Sequence, residues 1–184
     1  MRKNTGFTLM ELMVAIAIIA IAASIAIPNI VGWLPTHRLA SASRAILSDL
    51  QQARLRAVKE NTFVTVQFDT GNERYNVFWD NGEGGGSPGD GLQNGTERIF
   101  KSEAMPASIN LDSTTFADNS VCFSNRGLPN PALNGTVTIL NSQNNNRQIV
   151  VNQTGNSTII IPQSKDKGIR RRKKLSYNMC EDFK

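Results

Sequence analysis

Apolar residues crowd the start of the chain. From Phe7 to Ile27 the only charge is Glu11, and at ~1.5 Å per helical residue the run reaches about 31 Å, enough to cross the hydrocarbon core of a bilayer. The pattern then changes. Pro28, Gly32 and Pro35 each weaken a helix, so a bend or local unwinding is expected over residues 28–36. Beyond it Leu39, Ala42, Ile46, Leu50, Ala53 and Ala57 recur at spacings of three and four. This predicts an amphipathic helix with one core-facing stripe, while Arg38, Arg44, Asp49, Arg56 and Lys59 lie mostly off it.

After Asn61 the period becomes two. Thr62–Phe68 alternates Val64, Val66 and Phe68 against Phe63, Thr65 and Gln67, and Arg74–Trp79 reads as its hairpin partner across a turn at Gly71 and Asn72. Further strands are expected near Glu97–Lys101, Ser108–Leu111, Ser120–Ser124, Thr136–Leu140, Gln148–Asn152 and Ser157–Pro162. Between them, Asp80–Leu92 reads as a flexible surface loop. One long helix is therefore followed by an all-β tail, an α+β order. Hydrophobic content of 40% with 19% charge supports a folded head of single-domain size behind the apolar run.

Glu11 is the residue that asks for chemistry. A carboxylate near the start of a membrane helix costs ~2.5–3.5 kcal/mol on insertion scales and is by default a functional group with a partner. Arg2 and Lys3 precede the run, which keeps the N-terminus cytoplasmic and sends the rest across. A cleaved secretory signal is one alternative, with small-residue patterns at Ala20-Ile21-Ala22 and Ser24-Ile25-Ala26. A plain anchor is another. Neither explains Glu11.

The stretch Lys3-Asn4-Thr5-Gly6-Phe7-Thr8-Leu9-Met10-Glu11-Leu12 resembles the class III signal of type IV pilins and type II secretion pseudopilins. The resemblance implies that a prepilin peptidase cuts between Gly6 and Phe7 and methylates the new Phe7 amine, while the apolar segment stays on the mature protein. It also implies that Glu11 pairs with the Phe7 amine of a neighbouring subunit. Opposite charges inside an apolar bundle need one another. An intramolecular contact is the alternative, since Phe7 lies four residues away.

With its helix-then-strands order and the segment Phe123-Ser124-Asn125-Arg126-Gly127, nearly the whole chain is similar to the GspH/FimT-type minor pilins and pseudopilins. That similarity implies a pilin fold, a long N-terminal helix packed on an antiparallel β-sheet head. Its expected parts are a cleaved leader (1–6), a membrane and filament-core helix (7–28), an amphipathic helix (29–60), a β-rich head (61–164) and a basic tail (165–184). The implied partners are the prepilin peptidase, other pilin or pseudopilin subunits and an inner-membrane assembly platform. The implied location is the inner membrane with a periplasmic head, then a pilus or pseudopilus at the cell surface.

Charge and cysteines refine this picture. The net charge of +5 comes from the stretch Lys165–Lys174, where Lys165, Lys167, Arg170, Arg171, Arg172, Lys173 and Lys174 face Asp166 alone. Some FimT-type pilins bind DNA in natural transformation through a Gly-Arg-x-Arg motif. The corresponding turn here, Gly155-Asn156-Ser157-Thr158, has no arginine, so DNA contact by Lys167, Arg170, Arg171, Arg172, Lys173 and Lys174 rests on electrostatics. A solubilising or lipid-facing tail is the alternative. Cys122 and Cys180 are an even pair in an exported chain, which favours a disulfide over two separate thiols.

An enzyme is not expected. Gly84-Gly85-Gly86-Ser87-Pro88-Gly89 fits G-x-G-x-x-G formally but contains Pro88 and opens no helix. Asp80, Glu83 and Asp90 offer oxygens for calcium without the spacing of an EF-hand loop. His37 is the only histidine, on the membrane-proximal helix and far in sequence from Cys122. That leaves no zinc set and no nucleophile–base pair, and no metal or cofactor is expected.

Overall fold

The computed structural model describes residues 7–131 and 134–162, without the side chains of Pro28 and Asn29. A single helix, α1 (Leu9–Glu60), runs 52 residues, about 78 Å at ~1.5 Å per residue. Thr8 caps its start, with Oγ1 accepting the Glu11 N–H at 3.2 Å. At the other end Asn61 adopts the left-handed conformation (φ 50°), a stop that asparagine tolerates well.

Local unwinding, one of the two expectations for residues 28–36, does not occur: α1 is continuous there. A proline removes one helix hydrogen bond and crowds one carbonyl but leaves the flanking turns able to propagate. The head supplies a brace at this point. Gln143, from the turn after β7, donates Nε2 to the Gly32 carbonyl at 3.0 Å and accepts from Thr36 Oγ1 at 3.4 Å.

Two antiparallel sheets clasp the second half of α1. Their strands are β1 (Val64–Asp69), β2 (Arg74–Trp79), β3 (Ile99–Ala104), β4 (Ile109–Thr114), β5 (Ser120–Phe123), β6 (Pro129–Asn130), β7 (Gly135–Asn141), β8 (Asn146–Val151) and β9 (Ser157–Ile160). The first sheet runs β3-β2-β1-β5-β6 and the second β4-β7-β8-β9. Every strand expected from the alternation is present, shifted by up to three residues at its ends. β6 was not expected, because two residues are too few to show a period.

The helical stripe behaves as its spacing demands. Leu39, Ala42, Ile46, Leu50, Ala53 and Ala57 are all buried, against Val64, Val66, Phe68, Tyr75, Val77 and Phe123 of the first sheet and Ile109, Leu111, Val137, Ile139, Ile149 and Val151 of the second. Burying such a side chain contributes ~1.5–3 kcal/mol. Leu50 is fully enclosed, so Leu50→Ala should lower head stability by ~2–5 kcal/mol, measurable as an earlier urea midpoint with an unchanged m-value.

Asp49 corrects the expected division of the helix. It lies on the flank of the stripe, three residues after Ile46, and is buried rather than solvated. Its carboxylate accepts from Lys101 Nζ at 2.7 and 2.8 Å and from the Tyr75 hydroxyl. These bonds pin α1 to β2 and β3. Burial, reinforced by the Asp49 carboxylate, holds the Tyr75 phenol well above its ordinary pKa, so it remains a donor.

Asp80–Leu92 is likewise no loose loop. Thr65, Phe78 and Cys122 sit on the outer face of the first sheet, adjacent across their strands and buried. The loop contacts that face through Asp80, itself buried, whose oxygens accept from Thr65 Oγ1 (2.7 Å), Gly89 N (2.8 Å) and Gly91 N (2.9 Å). Glu97 does the same for Gly82 N and Asn94 N, at 2.9 and 2.8 Å. At Gly89 (φ +78°) a Cβ would sit 2.8 Å from the Phe63 ring, so this glycine serves close packing, not phosphate binding.

Candidate assembly site

The apolar stem has nothing to pack on within its own chain. None of Leu9–Ile27 is buried, and Phe7, just ahead of the helix, is 82% exposed. A helix apolar around its whole circumference needs lipid or other helices to cover it. Glu11, exposed in the first turn, is the only charge on that surface.

Local geometry separates two roles at this end. The spacing Thr8-Leu9-Met10-Glu11 has the form of a capping box, a signal overlooked in the sequence. Thr8 takes the backbone N–H of Glu11, and the extended Thr8 (φ −81°, ψ 151°) carries Phe7 off the helix. Thr8 holds the backbone of Glu11 and not its side chain, and the Glu11 carboxylate makes no hydrogen bond among the described residues. Gly6, the other half of the expected cleavage site, lies outside the described residues.

In the head, Cys122 lies in β5 under the Asp80 loop, and burial pushes its thiol up to about 12. As a free thiol it would be protonated and poorly nucleophilic at neutral pH. Its expected disulfide partner, Cys180, lies outside the described residues, as do Lys167, Arg170, Arg171, Arg172, Lys173 and Lys174. His37 is exposed and packs at a tilt against Trp33 one turn earlier, with ring centroids 4.7 Å apart.

The turns at Ser124–Gly127 and Asn152–Asn156 meet at one residue. Arg54 of α1 donates Nε to the Gly127 carbonyl (2.8 Å), Nη1 to Asn156 Oδ1 (2.9 Å) and Nη2 to the Thr154 carbonyl (3.1 Å). The turn that lacks an arginine in sequence is thus held by one from the helix. Arg54→Ala should cost ~1 kcal/mol, mainly through the half-buried bond to Gly127, with faster hydrogen exchange confined to the two turns.

Comparison with known proteins agrees with this architecture. The family described as "Type II transport protein GspH" matches residues 42–155, and the prokaryotic N-terminal methylation motif matches residues 1–27. The pilin-like protein PilA1 of Thermus thermophilus is 27% identical over 158 residues, covering 84% of this chain and 97% of that protein. Among solved structures, the type IV minor pilin FimU of Pseudomonas aeruginosa aligns with a TM-score of 0.53 at 18% identity, over 70% of this chain and 96% of that one. The minor pseudopilin EpsH of the Vibrio cholerae type 2 secretion system aligns with a TM-score of 0.52 at 11% identity, over 69% and 99%.

These likenesses are to structural pilins. Membership implies association with other pilin or pseudopilin subunits and, through the methylation motif, processing by a prepilin peptidase. A stem that its own head leaves bare, a capped helix start carrying one carboxylate, and the two matches together place this chain in the GspH family, among the minor pilins and pseudopilins.

Proposed function

We propose that this chain is a minor type IV pilin that primes or caps pilus assembly once its leader is removed between Gly6 and Phe7. The observation that carries the reading is the stem, uncovered along its whole length with Glu11 as its one charge. In the membrane that carboxylate is a liability. Against the Phe7 amine of an adjoining subunit it becomes half of a neutral pair, which ties escape from lipid to docking in register. Arg2 and Lys3 set the N-terminus in the cytoplasm and the head in the periplasm.

The family match over residues 42–155 favours a second reading, a GspH-like pseudopilin that performs the same assembly chemistry in a type II secretion system. Gene disruption separates the two. Loss of piliation and twitching with normal exoprotein secretion is the expected result. Loss of secretion with normal pili would transfer the chain to the second machine.

A further inference from the structure

Apolar and cationic side chains that the stem does not use converge at the far end of α1. A groove of about 920 Å³ is lined there by Arg54, Leu55, Val58, Lys59, Arg126 and the β9 residues Ser157 and Thr158, among others. Leu55 and Val58 are 67% and 50% exposed and, three residues apart, share one helix face. Among the described residues, Arg54, Lys59 and Arg126 are the only charged residues of the lining, and it holds no acid. Arg54 is engaged with the two turns. Lys59 and Arg126 have no carboxylate in ion-pair range among the described residues.

The third component is backbone. β9 ends the second sheet, paired with β8 on one side only among the described residues. The groove takes lining from β9 and none from β8, so the open edge of β9 runs along it. Such an edge carries free N–H and C=O groups and is a template for an added strand.

The geometry points to a docking site for an extended acidic and apolar segment of another polypeptide, which adds to β9 as a strand. Its alternate apolar side chains cover Leu55 and Val58, and its carboxylates face Lys59 and Arg126. Other occupants suit the groove less well. A bilayer is out of reach, since α1 rises about 46 Å from Ile27 to Val58. The chain's own sequence over Lys165–Lys174 carries the same sign of charge as the groove, and its last ten residues, with Glu181 and Asp182, are the internal rival that the test separates. A nucleic acid would use the cations but gain nothing from Leu55, Val58 or the strand edge. The inference does not rest on the role of Glu11, because the groove lies at the opposite end of the helix.

The test is fluorescence anisotropy with the full-length processed protein in detergent micelles. The probe is a labelled synthetic peptide alternating Glu or Asp with Val or Ile. Saturable binding is expected, weakened at least about tenfold by Lys59→Glu with Arg126→Glu and by Val58→Asp, with circular dichroism confirming that the variants fold. Methylation of alternate peptide amides, which blocks strand pairing while keeping every charge, should abolish binding. The inference is overturned if the acidic peptide does not bind, if the methylated peptide binds equally well, if binding appears only after residues 175–184 are removed, or if an oligonucleotide binds more tightly and displaces it.

Discussion

Glu11→Ala should leave the protein in the membrane yet lower its recovery in sheared fibres by more than about 100-fold. Alanine removes the ~2.5–3.5 kcal/mol that a carboxylate adds to insertion, so membrane residence is unharmed. The helix start also survives, because Thr8 is bonded to the backbone N–H of Glu11, which alanine keeps. What disappears is the proposed partner of the adjoining amine. A buried charge stripped of its counterpart costs ~3–5 kcal/mol, and each ~1.4 kcal/mol is a factor of ten. Quantitative immunoblots of membrane and fibre fractions check this. Thr8→Ala serves as the control for capping and should have a smaller effect, about 1 kcal/mol on the helix start.

The second large effect belongs to the head. Lys101→Met should destabilise it by ~3–5 kcal/mol, because the Asp49 carboxylate, only 4% exposed, would lose its ion pair and keep only the Tyr75 hydroxyl. Asp49→Asn should cost less. Lys101 is 37% exposed and can turn to water once its partner is neutral, and the asparagine carbonyl can still accept from Tyr75. Thermal unfolding followed by circular dichroism should place the Lys101→Met midpoint about 10–20 °C below the parent, with Asp49→Asn between them. The opposite order would mean that the pair is held mainly by the lysine's surroundings.

Periodicity located nearly every element, for reasons visible in single residues. Leu39 to Ala57 could be assigned to the core because a helix buries one stripe, and the spacing of that stripe is written in the chain. The first hairpin was equally clear: the Asp69 carboxylate accepts from the Gly71 and Asn72 N–H groups and closes a turn that the sequence announces.

The misreadings share a cause: a partner far away in sequence. Pro28 and Pro35 suggested local unwinding because Gln143, the brace at Gly32, comes more than a hundred residues later. Asp49 looked solvated because its partners, Tyr75 and Lys101, belong to strands whose placement on the helix no local pattern encodes. Asp80 read as a loop acid and Glu97 as the first residue of a strand, although both gather backbone N–H groups of a segment that covers the outer face of the first sheet. The groove beside β9 was hidden for the same reason, since Leu55, Arg126 and Ser157 come from three separate segments.

At the N-terminus the lesson is different. Glu11 stood out at once, because a charge in an apolar run violates the simplest rule of membrane helices. Thr8 was passed over, although its three-residue spacing to Glu11 is a local signal that needs no tertiary knowledge. The cap explains how Glu11 can be replaced without unravelling the helix, and so makes the assembly prediction testable.

Carbodiimide coupling of native assemblies, followed by mass spectrometry of the peptides around Glu11, tests the pairing most directly. The predicted product is an amide joining the Glu11 side chain to the N-terminal residue of a separate polypeptide, with this chain itself beginning at Phe7. A chain beginning near Ser24 or Ile27, or Glu11 joined only to its own Phe7, would contradict it.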